Sequence, residues 1–246
     1  KIEYAAVRIP GIKLYKSEVE SEYLKYCKKV GIFGDDLNAF YSALLKPYGI
    51  IVLSGTGSFA LGINREGKKH KLGGWGPILG DEGSGYFIGI LCLKSVIKEY
   101  EETGLKTTLT PKVLDFFGIK EVTELRKKVY SEECNRSIIS SLSKVVHESA
   151  RDGDVVAIEI INNAAKHLAE YVRVIVEKLN MYDKEYDVVL TGGISNFGEL
   201  ILKPFTEEVK KISDCLNVGT PKLRPAVGSL LVAMIESGIN IESESI

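Results

Sequence analysis

The sequence of 246 residues has the composition of an ordinary globular protein, with 45% hydrophobic side chains and 32 basic residues against 33 acidic ones. A chain of this length can bury the core of one large domain or of two smaller ones. Its balanced charge, and its lack of a basic stripe interleaved with aromatic residues, exclude nucleic acid as an expected partner.

Cysteine usage and hydropathy indicate where the protein works. The four cysteines include no Cys-x-x-Cys pair, so the sequence predicts no zinc knuckle and no iron-sulfur or disulfide framework. No apolar run approaches the roughly 20 residues that span a bilayer, and the first residues lack a signal-peptide pattern. We therefore expect a protein of the reducing cytoplasm with no membrane association. The cysteines are Cys27, Cys92, Cys134 and Cys215.

The chain opens directly on a strand-like run at residues 2–9, after Lys1. Such an opening is typical of the middle of a domain, so we expect the sequence to be a piece of a longer protein. Apolar side chains spaced three or four residues apart then predict an amphipathic helix from about Ser17 to Val30. A short buried strand is predicted at residues 32–33.

The acidic pair Asp35 and Asp36 predicts the start of a second helix, with Pro47 just beyond its end. A carboxylate at such a position is by default a helix cap, because it accepts hydrogen bonds from the free N–H groups of the first turn. One positioned carboxylate is also all that a general base for phosphoryl transfer requires. Both roles therefore stay open for Asp36.

Between residues 50 and 72, short apolar runs broken by glycine predict a small antiparallel unit with a turn at residues 64–67. The stretch from Gly62 to Lys69 nearly has the spacing of a P-loop. Lys69, however, stands where a serine or threonine should hold magnesium. We therefore reject a P-loop and interpret the stretch as a hairpin turn.

The motif Ser54-Gly-Thr-Gly-Ser58 follows the first apolar run of this unit. Because glycine has no Cβ, the backbone at Gly55 and Gly57 can approach a ligand closely, and Thr56 and Ser58 add hydroxyl groups. The motif indicates either a phosphate-binding turn or a plain tight hairpin turn.

Two more glycine clusters follow at residues 73–76 and 80–85. The first contains Trp75, the only tryptophan of the chain. On its own, a glycine-flanked tryptophan is more often a packed hydrophobic residue than a platform for a ligand. Beside Asp81 and Glu82, whose carboxylates accept hydrogen bonds from hydroxyls, it indicates a polyol site.

Helices dominate the rest of the sequence, and the longest runs from Asp154 to about Asn180 with one apolar stripe that predicts core packing. A strand at residues 187–190 then ends in Thr191-Gly-Gly193, and a helix begins near Asn196. Strand, glycine turn and helix in this order are typical of a nucleotide site. Other helices are predicted at residues 84–103, 111–117, 122–130 and 135–151 and after Pro225. The histidines, His70, His147 and His167, lack ligand spacing and are interpreted as surface or partly packed side chains.

Taken in order, these motifs resemble those of the N-acetylglucosamine kinases and of the broader BadF/BadG/BcrA/BcrD type ATPase family. The series spans nearly the whole chain and is far more specific than any one of its members. The resembling segments are Asp36, then residues 54–58, 73–76, 80–84 and 191–193.

The resemblance implies an α/β protein of the ribonuclease H-like, actin-like ATPase fold, with two lobes and a cleft between them. Residues 1–46 would be the remainder of the N-terminal lobe and residues 47–224 the C-terminal lobe. Residues 225–246 would form a C-terminal helix and tail, with the helix packing back on the N-terminal lobe.

The resemblance also implies roles for single residues. Asp36 matches the base that accepts the proton of the sugar 6-hydroxyl. The residues implied to bind ATP are Gly55, Thr56, Gly57 and Ser58 of the second phosphate loop, Gly192 and Gly193 on the adenosine side, and Ala150 near the adenine. Those implied to contact the sugar are Asp36, Gly74, Trp75, Gly76 and Asp81.

One feature of the family is missing from this sequence. Its members begin with a strand and an Asp-Gly-Gly-x-Thr-Lys type turn, which supplies the first phosphate loop and an acid that helps to hold magnesium. Nothing of that kind precedes Asp36. We therefore expect an incomplete N-terminal lobe, which could leave this chain inactive alone, and the sequence does not identify metal ligands.

Three functions remain open at this stage. The leading hypothesis is a kinase that uses ATP and Mg²⁺ to phosphorylate N-acetylglucosamine or a related hexose. The second is an activator ATPase of a reductase, although the cysteines offer no pair for its iron-sulfur cluster. The third is a non-catalytic sugar or nucleotide sensor, which the missing loop would favour. The sequence does not determine the oligomeric state, and a homodimer stays open.

Overall fold

A computed structural model describes residues 2–8, 16–33, 35–221, 223, 230 and 233–234 of the chain. Its first two strands, β1 (Ile2–Arg8) and β2 (Cys27–Phe33), form a parallel pair, and α1 (Lys16–Tyr23) lies on the connection between them. The strand predicted at the start of the chain is confirmed. The last helix predicted after Pro225 falls almost wholly outside the described residues.

The predicted helix from Ser17 to Val30 is wrong in its second half, because Cys27 and Val30 belong to β2. The helical spacing of the apolar residues was a coincidence, since α1 buries none of its side chains. Apolar burial is instead provided by the strand, where Cys27 and Ile32 are covered. Tertiary pairing with β1 therefore decides the conformation over local periodicity.

A five-stranded sheet forms the centre of the molecule, in the order β5-β4-β3-β6-β7. Three strands are antiparallel neighbours, and they confirm the predicted small unit: β3 (Gly49–Ser54), β4 (Ser58–Ile63) and β5 (Lys69–Gly73). The strands β6 (Tyr186–Thr191) and β7 (Leu216–Gly219) continue the sheet parallel to β3. The sequence did not predict β7, because it is four residues long and only Leu216 is buried.

Both faces of the sheet are covered, which explains the continuous apolar run in β3. Ile50 and Val52 face the large core cluster, whereas Ile51 faces a smaller cluster built around Phe40 and Leu44. Those two residues belong to α2 (Asp35–Leu44), which confirms the second predicted helix.

The large cluster is covered mainly by helices that the sequence predicted to within a few residues. The longest, α7 (Val155–Leu179), begins after Asp154, whose carboxylate accepts the N–H of Ala157, and ends at Asn180 in a left-handed conformation. The other helices are α3 (Gly85–Tyr100), α4 (Leu109–Phe117), α5 (Leu125–Val129), α6 (Arg136–Arg151) and α8 (Glu199–Lys210), with 3-10 turns at Val122–Glu124 and Gly193–Phe197. Nowhere in the described residues is there a helix that could cross a bilayer.

The helices α3 and α6 cross at very close range. A Cβ on Gly89 would overlap the carbonyl oxygen of Ile139 and lie 2.9 Å from its carbonyl carbon. A Cβ on Gly85 would lie 2.5 Å from the hydroxyl of Ser140. The two glycines therefore let α6 pack closely against the first turns of α3, which begins at the end of the glycine cluster at residues 80–85.

Candidate active site

Two glycine turns meet at one edge of the sheet. β3 and β6 are adjacent and parallel, with Leu53 opposite Thr191, so both strands lead into their glycine turns at the same edge. Gly192 has a φ of +97°, and a Cβ there would overlap the carbonyl oxygen of Ser54. Only glycine permits this approach. Ligands of open α/β sheets bind at such carboxyl ends of neighbouring strands.

The turn at residues 54–58, here named the phosphate turn after its predicted role, links β3 to β4. The N–H of Gly55 donates to the carbonyl of Gly57 at 2.9 Å, and the N–H of Gly85 donates to the carbonyl of Gly55 at 2.7 Å. The start of α3, with its positive helix end, is thereby attached to the turn. Thr56 is exposed at the tip. Among the described residues, no acceptor faces the N–H groups of Thr56 and Gly57.

The serine hydroxyls of the phosphate turn point into the protein. The Ser54 hydroxyl donates to the carbonyl of Gly83 at 2.8 Å, and the Ser58 hydroxyl donates to the carbonyl of Glu82 at 2.7 Å. Both serines are buried. Of the two hydroxyls that the motif was expected to offer a ligand, only that of Thr56 is exposed, and the Ser58 hydroxyl secures the neighbouring loop.

Asp81 lies directly beneath the phosphate turn. One of its carboxylate oxygens accepts the N–H of Ser58 at 3.1 Å, and the other forms an ion pair with Arg136. The side chain is only 3% exposed. The predicted contact of Asp81 with a sugar stays a prediction, and in this structure both carboxylate oxygens are bonded to protein groups.

Asp36, the predicted base, is half-buried near the start of α2. Its carboxylate accepts a hydrogen bond from Lys71 at 2.9 Å and another from the N–H of Leu37 at 2.9 Å. Burial raises the pKa of Asp36, but the hydrogen bonds and charge of Lys71 together with the Leu37 N–H outweigh it and leave the pKa below its ordinary value. Asp36 is therefore a carboxylate at neutral pH.

Lys71 places Asp36 beside the predicted sugar-contacting segment. It lies on β5 two residues before Gly73, where the tryptophan loop (residues 73–80) begins. Gly74 and Gly76 have positive φ angles of 74° and 86°. Trp75 is 70% exposed, which excludes the interpretation of this residue as a packed hydrophobic side chain.

On the adenosine side, the structure joins the two predicted segments through a ring contact that the sequence did not reveal. His147 of α6 stacks on Phe197 at 4.5 Å between ring centroids and at 7° between planes. Phe197 ends the 3-10 turn that begins at Gly193, and Ala150 lies one helical turn after His147. Gly193 is exposed, whereas Ala150 is buried. Burial, assisted by the charge of Arg151, lowers the pKa of His147, so the ring is neutral at pH 7.

Two further side chains of this region were missed by sequence reasoning. Arg136 contacts Asp81, as described above, and the Tyr171 hydroxyl lies 3.4 Å from both the Ser58 hydroxyl and the Glu82 carboxylate. Burial raises the pKa of Tyr171. Both residues lie far along the chain from the motifs that they contact, and neither carries a local sequence signal.

The described residues contain no group of three or more His, Cys, Asp or Glu side chains arranged to hold a metal ion. Metal ligands therefore stay unassigned. Mg²⁺ usually keeps several waters and binds through substrate phosphates and one or two carboxylates, so its use does not require a dedicated cluster.

Comparison with known proteins identifies the family of the chain. The chain belongs to the BadF/BadG/BcrA/BcrD ATPase family, whose pattern matches residues 1–233. It is 35% identical over 220 residues to the N-acetylmuramic acid/N-acetylglucosamine kinase of Clostridium acetobutylicum, covering 87% of this chain and 70% of that protein. It is 30% identical over 227 residues to the N-acetyl-D-glucosamine kinase of Dictyostelium discoideum, covering 91% and 70%. The predicted family is thus confirmed.

The fold agrees with that of a solved relative. A crystal structure described as a putative N-acetylglucosamine kinase from Chromobacterium violaceum superposes with a TM-score of 0.69 at 22% identity, over 94% of this chain and 75% of that one. The predicted α/β fold of the actin-like ATPases is confirmed. The division into lobes and the roles of single residues stay predictions.

Proposed function

We propose that the protein is an ATP-dependent kinase that transfers a phosphoryl group to an amino sugar, with the 6-hydroxyl of N-acetylglucosamine as the acceptor. The observation that carries this proposal is the pair of glycine turns at the ends of β3 and β6, which Gly192 holds in contact. The names of two relatives at 30% identity or more, both amino-sugar kinases, support the choice of acceptor.

The phosphate turn would receive the phosphates of ATP. The N–H groups of Thr56 and Gly57 point to no described acceptor, and the exposed Thr56 hydroxyl adds a third donor. Donors of this kind stabilise the charge that spreads over the transferred phosphoryl group. Bound Mg²⁺ would neutralise the phosphates. Gly193 and the end of α6 near Ala150 would lie beside the adenosine.

Asp36 would act on the sugar. Its ionised carboxylate, held by Lys71, can accept a hydrogen bond from the attacking hydroxyl, orient it and take its proton as the new bond forms. A low pKa suits this role, because orientation supplies most of the rate in phosphoryl transfer and little charge needs to develop on the attacking oxygen early.

The tryptophan loop would form the wall of the sugar site. The exposed Trp75 ring offers a flat apolar surface to the C–H groups of a sugar or to an acetamido methyl group, and the backbone of Gly74 and Gly76 offers polar groups. ATP and sugar phosphates are solutes of the cytoplasm, so we place the reaction there.

A coupled assay of ADP formation on the full-length protein tests the proposal, with N-acetylglucosamine, N-acetylmuramic acid and glucose as acceptors. We expect turnover that depends on an amino sugar and that falls by about 100-fold or more in Asp36→Asn, the usual loss for a general base. Asp183→Asn is the matched control, because Asp183 is exposed and distant from the site in the chain.

Unchanged turnover in Asp36→Asn, or ADP formation that does not depend on any sugar, would overturn the assignment. A change of Trp75 fluorescence on addition of N-acetylglucosamine, without any ADP formation, would instead indicate a non-catalytic sugar-binding protein.

A further inference from the structure

The ion pair between Asp81 and Arg136 adjoins the backbone of the phosphate turn. A Cβ on Gly57 would lie 2.8 Å from a carboxylate oxygen of Asp81 and would overlap the Arg136 guanidinium. On its other oxygen, Asp81 accepts the N–H of Ser58. The ion pair thus packs directly against Gly57 and accepts a hydrogen bond from the next residue of the turn, Ser58.

Arg136 is the counter-charge of the buried Asp81 carboxylate. That carboxylate is almost fully buried, and among the described residues Arg136 is the one cation that pairs with it. A buried carboxylate that loses its cation is strongly destabilised, because its charge is no longer compensated. Loss of the Arg136 cation would therefore disturb the geometry in which Asp81 holds the Ser58 N–H.

The backbone around Asp81 is also held in an unusual shape. Asp81 has a φ of +63°, a left-handed conformation that is uncommon outside glycine and that Asp adopts more readily than most other residues. Its carbonyl accepts the N–H of Ser84 at 3.1 Å, and the hydroxyls of Ser54 and Ser58 hold the next two carbonyls. Such conformations persist only where the surroundings enforce them, and they cluster at functional sites.

Arg136 itself is not enclosed. It is the first residue of α6, after the capping Asn135, and its side chain is 41% exposed. A structural arginine of the core would be covered, whereas this one reaches the phosphate turn from the surface. Its position places a permanent positive charge beside the turn that receives phosphates under the proposed function.

We propose that Arg136 is a positioning residue for nucleotide binding: through Asp81 it fixes the backbone of Gly57 and Ser58 in the shape that receives the phosphates of ATP. The inference rests on the proposed function for its nucleotide, and it adds to the predicted sugar contact of Asp81 a second role, in holding the phosphate turn.

The test measures ADP binding to the full chain by calorimetry, in the presence of Mg²⁺ and without sugar. We expect Arg136→Gln to weaken ADP binding by about tenfold or more, because it leaves Asp81 buried without a cation. Arg136→Lys, which keeps the charge but not the planar guanidinium, should weaken it less. Arg126→Gln, an exposed arginine on α5, is the control and should bind ADP as the wild type does.

A double variant separates positioning from simple charge attraction. Replacing both partners, as Arg136→Gln with Asp81→Asn, removes the unpaired buried charge while keeping hydrogen-bonding groups, so ADP binding should recover part of the loss. Arg136→Gln should therefore weaken ADP binding much less in the Asp81→Asn background than in the wild type. A guanidinium that acted only by attracting phosphate would make Arg136→Gln weaken ADP binding by the same factor in both backgrounds, and that result would refute the positioning role.

Kinetics provide the second readout. Arg136→Lys should raise the KM for ATP by a larger factor than the KM for the sugar, a split that general unfolding does not produce. A rise in the sugar KM alone, or unchanged ADP binding in a folded Arg136→Gln protein, would overturn the inference. ADP binding that depends on Arg136 in a protein without sugar kinase activity would support the inference while refuting the proposed function.

Discussion

At the scale of single residues, the contact between Asp36 and Lys71 sets the ionisation of the proposed base. Burial alone would raise the pKa of Asp36, and the hydrogen bond and charge of Lys71, together with backbone hydrogen bonds, reverse that effect. Removing the ammonium group of Lys71 leaves burial as the largest influence on the pKa of Asp36. The pKa of Asp36 should then rise.

In Lys71→Met, we therefore expect the pH dependence of the kinase activity to shift. A base must be ionised to act, so activity falls as pH drops through its pKa, and a higher pKa moves this fall to higher pH. The pH profile of kcat/KM for the sugar between pH 4 and 8 measures this shift. The ordinary pKa of a carboxyl group is about 4, so a raised pKa brings the fall in activity into this range. Lys69→Met, an exposed neighbour on β5, should leave the profile unchanged. An identical acid limb in Lys71→Met would show that Asp36 does not control it.

Gly192 and Gly193, two neighbours in the predicted adenosine-side turn, allow a matched comparison of alanine variants. A Cβ on Gly192 would lie 2.8 Å from the carbonyl carbon of Ser54, at a φ of +97°, whereas a Cβ on Gly193 meets no atom within 4 Å. Gly192→Ala should lower the free energy of unfolding by about 2 kcal/mol or more, because strain and overlap act together.

Gly193→Ala should change the free energy of unfolding by less than about 0.5 kcal/mol and yet weaken ADP binding, because its methyl group enters space left for the ligand. Urea unfolding and calorimetric ADP binding measure both quantities. Equal losses of stability in the two variants would contradict the geometry of the turn.

At the scale of elements, the crossing of α3 and α6 supports the phosphate turn. Gly89 allows the close approach to Ile139, and one turn earlier the N–H of Gly85 holds the carbonyl of Gly55. A change at the crossing should therefore affect the proposed nucleotide site through α3.

Gly89→Ala should destabilise the protein by about 1–3 kcal/mol, the usual cost of overpacking, and weaken ADP binding as well. Lys94→Ala, on the exposed side of α3, serves as the control and should change stability by less than about 0.5 kcal/mol. Thermal unfolding and ADP titration report the two effects. Normal ADP affinity in a destabilised Gly89→Ala protein would show that the crossing does not shape the site.

The same scale shows what the sequence could predict. The helix α7 was located within a residue at each end because Asp154 and Asn180 are strong local signals for its caps. The strand predicted at residues 32–33 is confirmed as the end of β2, whereas the helix predicted up to Val30 is wrong for the first residues of β2, because their conformation depends on pairing with β1, which no local window contains. Elements defined by their own residues were predicted, and elements defined by distant partners were not.

At the scale of the whole molecule, motifs that are far apart in the chain meet at one sheet edge. The order of the motifs identified the family, and parallel pairing of β3 with β6 brings residues 54–58 and 191–193 together. The sequence could not predict that Arg136 and His147 would join them. Both act through contacts across the fold, with Asp81 and with Phe197.

Hydrogen exchange read by mass spectrometry, with and without ADP, tests most directly whether this sheet edge is the nucleotide site. We predict slower exchange at residues 54–58 and 191–197 when ADP and Mg²⁺ are added, and further slowing at residues 73–85 when N-acetylglucosamine is added. Protection confined to other segments, such as the exposed apolar groove between α3 and α5, would contradict the account.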